Sequence, residues 1–219
     1  MFRIHGISLN EGNDESTQRM SNSQKNILIL ASTSVYRREL LQRLGIPFGV
    51  QSPKVDEAPL AGEDALSLAL RLAKAKASAV AKIHPEAWVI GSDQVADLNG
   101  SALGKPGNFE NAMAQLQRMR GATVKFHTAL CLIRGEESTT LCVPTEVQFR
   151  NLPDEVLESY LLTETPYDCA GSAKVEGLGI SLIERLHSDD PTALIGLPLI
   201  ALSGLLRDAG FAIPPKKKQ

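Results

Sequence analysis

The chain has 219 residues, 43% of them hydrophobic, with 23 Lys and Arg against 25 Asp and Glu, so it can bury one substantial core and carries no basic excess of the kind general nucleic-acid binding uses. Its three cysteines, Cys131, Cys142 and Cys169, have no CxxC spacing, which argues against a zinc site or disulfide framework and makes a reducing compartment, the cytoplasm, the expected location. No apolar run approaches the ~20 residues of a membrane span, and the N-terminus lacks an apolar signal core.

Residues 1–25 are polar with little periodicity and read as a disordered extension, within which Met20 is a second candidate start. One domain is expected over 26–210 and a frayed tail over 211–219. Residues 26–31 (NILILA) predict a strand buried on both faces. Ser32, Thr33 and Ser34 then offer hydroxyl caps to a helix that carries Leu40, Leu41 and Leu44 and ends at Gly45. A strand, hydroxyl-rich turn and helix start in sequence suit a phosphate, with Arg37 or Arg38 adding formal charge, although the same residues also serve as plain helix capping. Residues 48–51 predict a second short strand, followed by Asp56 and Glu57 in a Pro-flanked loop. Asp64 is the expected cap of a long helix through Lys82, with Lys76 among its polar positions.

Trp88, Val89 and Ile90 predict a short buried strand that stops at Gly91, where the backbone turns into a cleft and Asp93 and Gln94 project side by side. Asn99-Gly100 is a turn signal leading to Gly104-Lys105-Pro106, and Asn108 caps a helix that Gly121 stops. Residues 123–134 and 139–149 read as two strands, with His127 a core or edge residue and Pro144 marking an edge or a break. Pro153 opens a helix to about Leu162. Residues 169–179 (CAGSAKVEGLG) are too glycine-rich for either regular element, let backbone approach a ligand, and place Lys174 and Glu176 with opposite charges. A strand over 180–186, a helical turn over 192–195 and an apolar helix opened by Pro198 complete the chain.

There is no P-loop, Rossmann fingerprint, GxSxG elbow or HExxH. Arg37, Lys76, Lys105, Glu57, Asp93 with Gln94, and the 174–176 loop are instead the inventory for hydrolysing a phosphoanhydride. Cations neutralise a polyphosphate, carboxylates hold a divalent metal such as Mg²⁺, and one carboxylate orients or deprotonates water.

The segments LILASTSVYRRELLQRLGIPF, PKVDEAP, RLAKAKA, VIGSDQV, GKP, DCAGSAKVEGLGI and IGLPLIAL closely resemble, in this order, the Maf-like nucleotide pyrophosphatases, and within them the branch that hydrolyses 7-methyl-GTP. The resemblance implies an α/β fold of the Maf/ITPase-like kind, with a long twisted mixed β-sheet, flanking helices and two lobes around an active-site cleft. It implies conversion of 7-methyl-GTP to the monophosphate and pyrophosphate with a divalent metal cation, Mg²⁺ or else Mn²⁺ or Co²⁺. The implied partner is a small-molecule nucleotide, with no nucleic-acid polymer and no membrane, and the chain is expected to form a homodimer.

Carried over by position, Asp93 matches the family's proton acceptor, Ser32, Arg37, Lys76 and Lys105 match its triphosphate-binding residues, and Glu57 joins Asp93 on the metal side. Tyr36, Gln94 and Glu176 match the positions that separate substrate classes. An N7-methylated guanine is cationic, so Tyr36, standing where tryptophan is expected, can stack on it with about 0.5–2 kcal/mol of cation–π attraction. Glu176 can accept hydrogen bonds from the guanine edge, and Gln94 can donate or accept. The alternatives are the dTTP/UTP-hydrolysing branch, which typically carries arginine and threonine at the Tyr36 and Gln94 positions, and a non-catalytic nucleotide-binding regulator of cell division.

Overall fold

A computed structural model describes residues 27–215; the extension expected over 1–25 and residues 216–219 of the expected tail lie outside the described residues. β1 (Leu28–Ala31) is buried along its whole length, as an uninterrupted apolar run requires. It pairs in parallel with β2 (Gly49–Gln51) on one side and with the first half of β3 (Trp88–Leu98) on the other. Beyond β3 every pairing is antiparallel. β4 (Ser101–Leu103) and β5 (Thr123–Arg134) flank β3, and β6 (Glu137–Phe149) and β7 (Ile183–Ser188) extend the sheet in the order β2-β1-β3-β5-β6-β7.

Among the described residues five α-helices cover the faces, and local chemistry fixes where most of them start. Ser34 caps α1 (Val35–Gln42), Asp64 caps α2 (Ala65–Ala81) and Asn108 caps α3 (Phe109–Met119), each side chain accepting a backbone N–H of the first turn. Pro153 and Pro198 stand at the N-caps of α4 (Asp154–Glu164) and α5 (Leu199–Asp208). α2 packs Leu72, Ala73, Ala77 and Val80 against Ile29, Val89 and Ala129 on one sheet face. α1 and α5 pack Leu40, Leu41 and Leu202 against Leu28, Leu30, Ile90 and Leu130 on the other. A separate cluster joins α3 and α4 to the far halves of the strands through Leu116, Leu161, Phe126 and Phe149. These are the two lobes, and Phe211 and Ile213 pack onto the α5 side of the first.

β3 runs through both lobes and corrects the expected strand end at Gly91. It continues for 11 residues to Leu98. Gly91 is no turn: a Cβ there would sit 2.6 Å from Ala77 N and 2.8 Å from Ala77 Cβ, so the missing side chain is what lets α2 lie close on the sheet. On one flank β3 pairs with β1 as far as Gly91 and with β4 only from Ala96. Ser92, Asp93, Gln94 and Val95 thus have no strand neighbour on that flank, while β5 backs them on the other. The cleft opens at this gap.

Two smaller expectations also shift. Residues 178–182 form a 3₁₀ turn, so β7 starts at Ile183 rather than 180, and β6 starts at Glu137. Pro144 sits within β6 opposite His127, one residue before the ladder to β7 begins, where its missing N–H leaves no gap in that ladder. His127 is buried beside Asp97 and does not line the cleft. No helix among the described residues is long and apolar enough to cross a membrane.

Candidate active site

The cleft has a volume of about 770 Å³, and Ser32, Tyr36, Arg37, Glu57, Lys76, Asp93, Gln94, Lys105 and Glu176 all line it. The structure brings these nine residues together from β1–α1, the 52–62 loop, α2, β3, the segment after β4 and the glycine-rich loop, while Lys174 and Arg38 do not line the cleft.

The turn after β1 is held by its own hydroxyls. Ser32 Oγ accepts Ser34 N at 3.0 Å and Ser34 Oγ accepts Arg37 N at 3.3 Å, so the caps are also part of the cleft wall. Arg37 Nε donates to Gly196 O at 2.8 Å, which fixes the guanidinium plane. Burial lowers the Arg37 pKa, and Asp93 and then Glu57 oppose that shift by their negative charge. Lys105 is exposed and lines the cleft, whereas Arg38 is exposed and does not line it.

Asp93 and Gln94 are sequence neighbours on a strand and therefore point to opposite sheet faces, not side by side as expected. Asp93 points toward α2. Lys76, expected among the polar positions of α2, is on its buried face: its side chain is 6% exposed, with Nζ 2.6 Å from Asp93 Oδ1 and 2.9 Å from Glu57 Oε1. The Asp93 side chain is 10% exposed and that of Glu57 54%, so one buried ammonium ties the sheet carboxylate to a solvent-exposed loop carboxylate lining the cleft. Burying the charges is tolerable because they are paired.

A divalent cation fits this donor set. Lys76 engages one oxygen of each carboxylate, leaving the other oxygens of Asp93 and Glu57 for a hard cation. Among the described residues no group of three or more His, Cys, Asp or Glu could hold a metal. Mg²⁺ needs only one or two carboxylates when substrate phosphates and waters complete its shell.

Gln94 points to the other face. Its Nε2 lies 2.9 Å from Thr128 Oγ1, 3.0 Å from Ala193 O and 2.9 Å from Leu194 O, and the two carbonyls fix which end of the amide is nitrogen. The donor capacity of Gln94 is therefore used inside the protein. What remains for the cleft is Oε1, an acceptor, which narrows the expectation that Gln94 both donates and accepts.

Tyr36 and Glu176 both line the cleft, close enough for the Glu176 charge to act on the phenol. Burial, then the charges of Cys169 and Asp168, push the Tyr36 phenol up to about 12, so it stays neutral throughout the working pH range. Burial also raises the Glu176 pKa, opposed by Lys174 and assisted by Glu164 and Asp168. The Cys169 thiol is pushed up to about 12, first by burial and then by Asp168, so it is not a nucleophile at neutral pH.

Two supports went unread in the sequence. One is the 190–197 segment. Asp190, buried, accepts Thr192 N and Thr192 Oγ1 on one oxygen and Ile200 N on the other, and Thr192 Oγ1 also bonds Leu197 O and Leu199 N. This lock aims Ala193 O and Leu194 O at Gln94, and Gly196 O at both Arg37 and Ser92 Oγ. One loop thereby orients both Arg37 and Gln94. The Asp190-Pro191-Thr192 run is a turn signature that could have been found, but the carbonyls it aims leave no trace in residue type. Asp190→Ala is expected to lose about 2–3 kcal/mol of unfolding free energy, read by urea denaturation, because three hydrogen bonds to a buried charge go at once. The other support is α4, whose Tyr160 and Glu164 hold the glycine-rich loop from beneath.

The Maf-like protein family matches residues 27–209. The 7-methyl-GTP pyrophosphatase of Cupriavidus metallidurans is 60% identical over 194 residues, covering 88% of this chain and 98% of that protein. That of Paraburkholderia xenovorans is 61% identical over 191 residues, covering 85% of this chain and 93% of that protein. Among solved structures, the Staphylococcus aureus Ham1 protein aligns with a TM-score of 0.43 at 14% identity, over 57% of this chain and 73% of that one.

Proposed function

This chain belongs to the Maf-like protein family, and on that premise we propose that it hydrolyses 7-methyl-GTP to 7-methyl-GMP and pyrophosphate. The observation that carries the reading is that one cleft is lined both by the charged set Arg37, Lys76, Asp93 and Glu57 and by Tyr36, Gln94 and Glu176. The first set suits a triphosphate and an attacking water, the second a base.

Arg37, Lys105 and the N-terminus of α1 bind the triphosphate, the backbone amides and formal charges together compensating the anion. Lys76 fixes Asp93 through Oδ1, and Asp93 accepts the proton of the water that attacks phosphorus as pyrophosphate leaves. Asp93 and Glu57 would hold Mg²⁺, which when bound supplies charge neutralisation on the anhydride and lowers the pKa of water.

In the same cleft Tyr36 stacks on the base, and Gln94 Oε1 and the Glu176 carboxylate are both acceptors. The guanine edge presents two neighbouring donors, N1–H and the exocyclic amine, whereas the imide edge of uracil or thymine presents a single donor between acceptors. Two acceptors therefore favour guanine over the pyrimidines of the alternative branch, and Glu176 adds attraction for the methylated, cationic ring.

Pyrophosphate release with Mg²⁺ from 7-methyl-GTP, GTP, UTP, dTTP and CTP tests the reading. Turnover led by 7-methyl-GTP is the expected result. A lead by UTP or dTTP overturns the base assignment, and no release from any of them overturns the enzymatic one. Glu176→Ala is expected to cut the 7-methyl-GTP to GTP ratio of kcat/KM roughly fivefold, as one screened charge contact is lost; an unchanged ratio removes Glu176 from that role.

A further inference from the structure

The glycine-rich loop is built around an ion pair that the proposed chemistry does not use. Lys174 Nζ donates to Glu164 Oε1 at 2.7 Å, and Glu164 Oε2 accepts Leu178 N at 2.8 Å. Lys174 N donates to Tyr160 Oη at 2.9 Å, and Lys174 O accepts Gly177 N at 3.1 Å and Gly179 N at 3.0 Å. A Cβ at Gly179 would strike the Lys174 backbone and one at Gly177 the Glu164 carboxylate, so the two glycines permit the loop to wrap this pair. The side chains of Lys174 and Glu164 are 27% and 13% exposed, well withdrawn from solvent.

The Lys174 ammonium also lies over the Tyr36 ring, 5.8 Å from its centroid. Tyr36, Ala173 and Glu176 line the cleft and Lys174 does not. A resident cation thus meets a cleft-lining ring without itself lining the cleft. An aromatic face attracts a cation through its quadrupole, and a cation already on the ring weakens that attraction while adding like-charge repulsion. Glu164, in contact with Nζ, sets how much of the repulsion is felt.

We propose that Lys174 is a specificity residue for base charge: lying over the Tyr36 ring, it restrains the preference for a cationic base over a neutral one, and Glu164 tempers it. The proposal rests on the assignment of Tyr36 as the base-stacking residue. It predicts a sign that loop support alone does not give. Removing the lysine strengthens the preference for the methylated base, whereas merely loosening the loop that carries Glu176 weakens it.

The experiment measures dissociation constants of 7-methyl-GMP and GMP by calorimetry on wild type, Lys174→Met, Lys174→Arg, Glu164→Gln and the Lys174→Met/Glu164→Gln double variant. Melting temperatures taken in parallel establish that each is folded, and Lys174→Gln replaces Lys174→Met if that variant is not. The selectivity ratio is expected to rise about threefold or more in Lys174→Met, to fall by a similar factor in Glu164→Gln, and to return near wild type in Lys174→Arg and the double variant, in line with a partly screened cation–π contact. A ratio that is unchanged or lower in folded Lys174→Met overturns the proposal. Pyrophosphate release is assayed separately: ratios that move as expected in a protein without turnover overturn the pyrophosphatase reading alone. Failure of wild type to bind either nucleotide overturns both.

Discussion

Asp93→Asn is expected to lower pyrophosphate release from 7-methyl-GTP by about 10²–10⁴-fold, the range in which a positioned proton acceptor contributes. The substitution changes little else. Asn keeps an acceptor oxygen for Lys76 Nζ, which lies 2.6 Å from Asp93 Oδ1, and Glu57 still pairs with the same ammonium. Stripping a buried charge of its partner outright costs about 3–5 kcal/mol. With a hydrogen bond and a second carboxylate retained, the loss should stay below that, and a circular-dichroism melt should show a cooperative transition only a few degrees lower. Glu57→Gln offers a contrast: its side chain is half exposed, so folding is barely touched while the metal side of the cleft loses a charge. Asp93→Asn turning over within a few-fold of wild type would remove Asp93 from the chemistry. Loss of the folded state would show that the Lys76 pair is chiefly structural.

Helix starts are written in residue type, because a side chain caps the residues beside it; Asp64, Asn108 and Ser34 are found where local chemistry puts them. The resemblance likewise names side chains that all line one cleft. What it does not give is their direction. Ser92, Asp93 and Gln94 interrupt the apolar run after Ile90, so the sequence reads as a strand that stops at Gly91. It continues because each polar side chain is satisfied inside: Ser92 at Ala129 O and Gly196 O, Asp93 at Lys76, Gln94 at Ala193 O and Leu194 O. Lys76 misleads for the same reason, as a lysine in a helix reads as solvated until a buried carboxylate is placed opposite it. Gly196, Ala193 and Leu194 act through backbone carbonyls, to which residue type is blind. Glu164 looks in sequence like one more acid at a helix end, and only the fold brings it under Lys174, 10 residues away.

Gly91→Ala is expected to be among the most destabilising single-methyl additions in the chain, although glycine to alanine inside a strand is ordinarily mild. The added Cβ would fall against Ala73 O, 2.6 Å from Ala77 N and 2.8 Å from Ala77 Cβ. These are backbone and Cβ atoms of α2, which have no rotamer to escape into, so the helix itself must lift. Ala69, Ala73 and Ala77, all fully buried, form the small-residue stripe on which this close approach depends. Overpacking of this kind costs about 3 kcal/mol or more. At roughly 2–4 °C per kcal/mol for a chain of this size, the melting temperature should fall by about 6–12 °C. Gly104→Ala is the control, since its Cβ would meet nothing within 4 Å. Lys76 lies between Ala73 and Ala77 on the helix that must move. A Gly91→Ala protein that still folds at low temperature should therefore turn over more slowly, because lifting α2 draws Lys76 away from Asp93. A melting temperature equal to that of wild type would show that α2 does not rest on Gly91, and normal turnover in a destabilised variant would show that the Lys76–Asp93 contact tolerates its displacement.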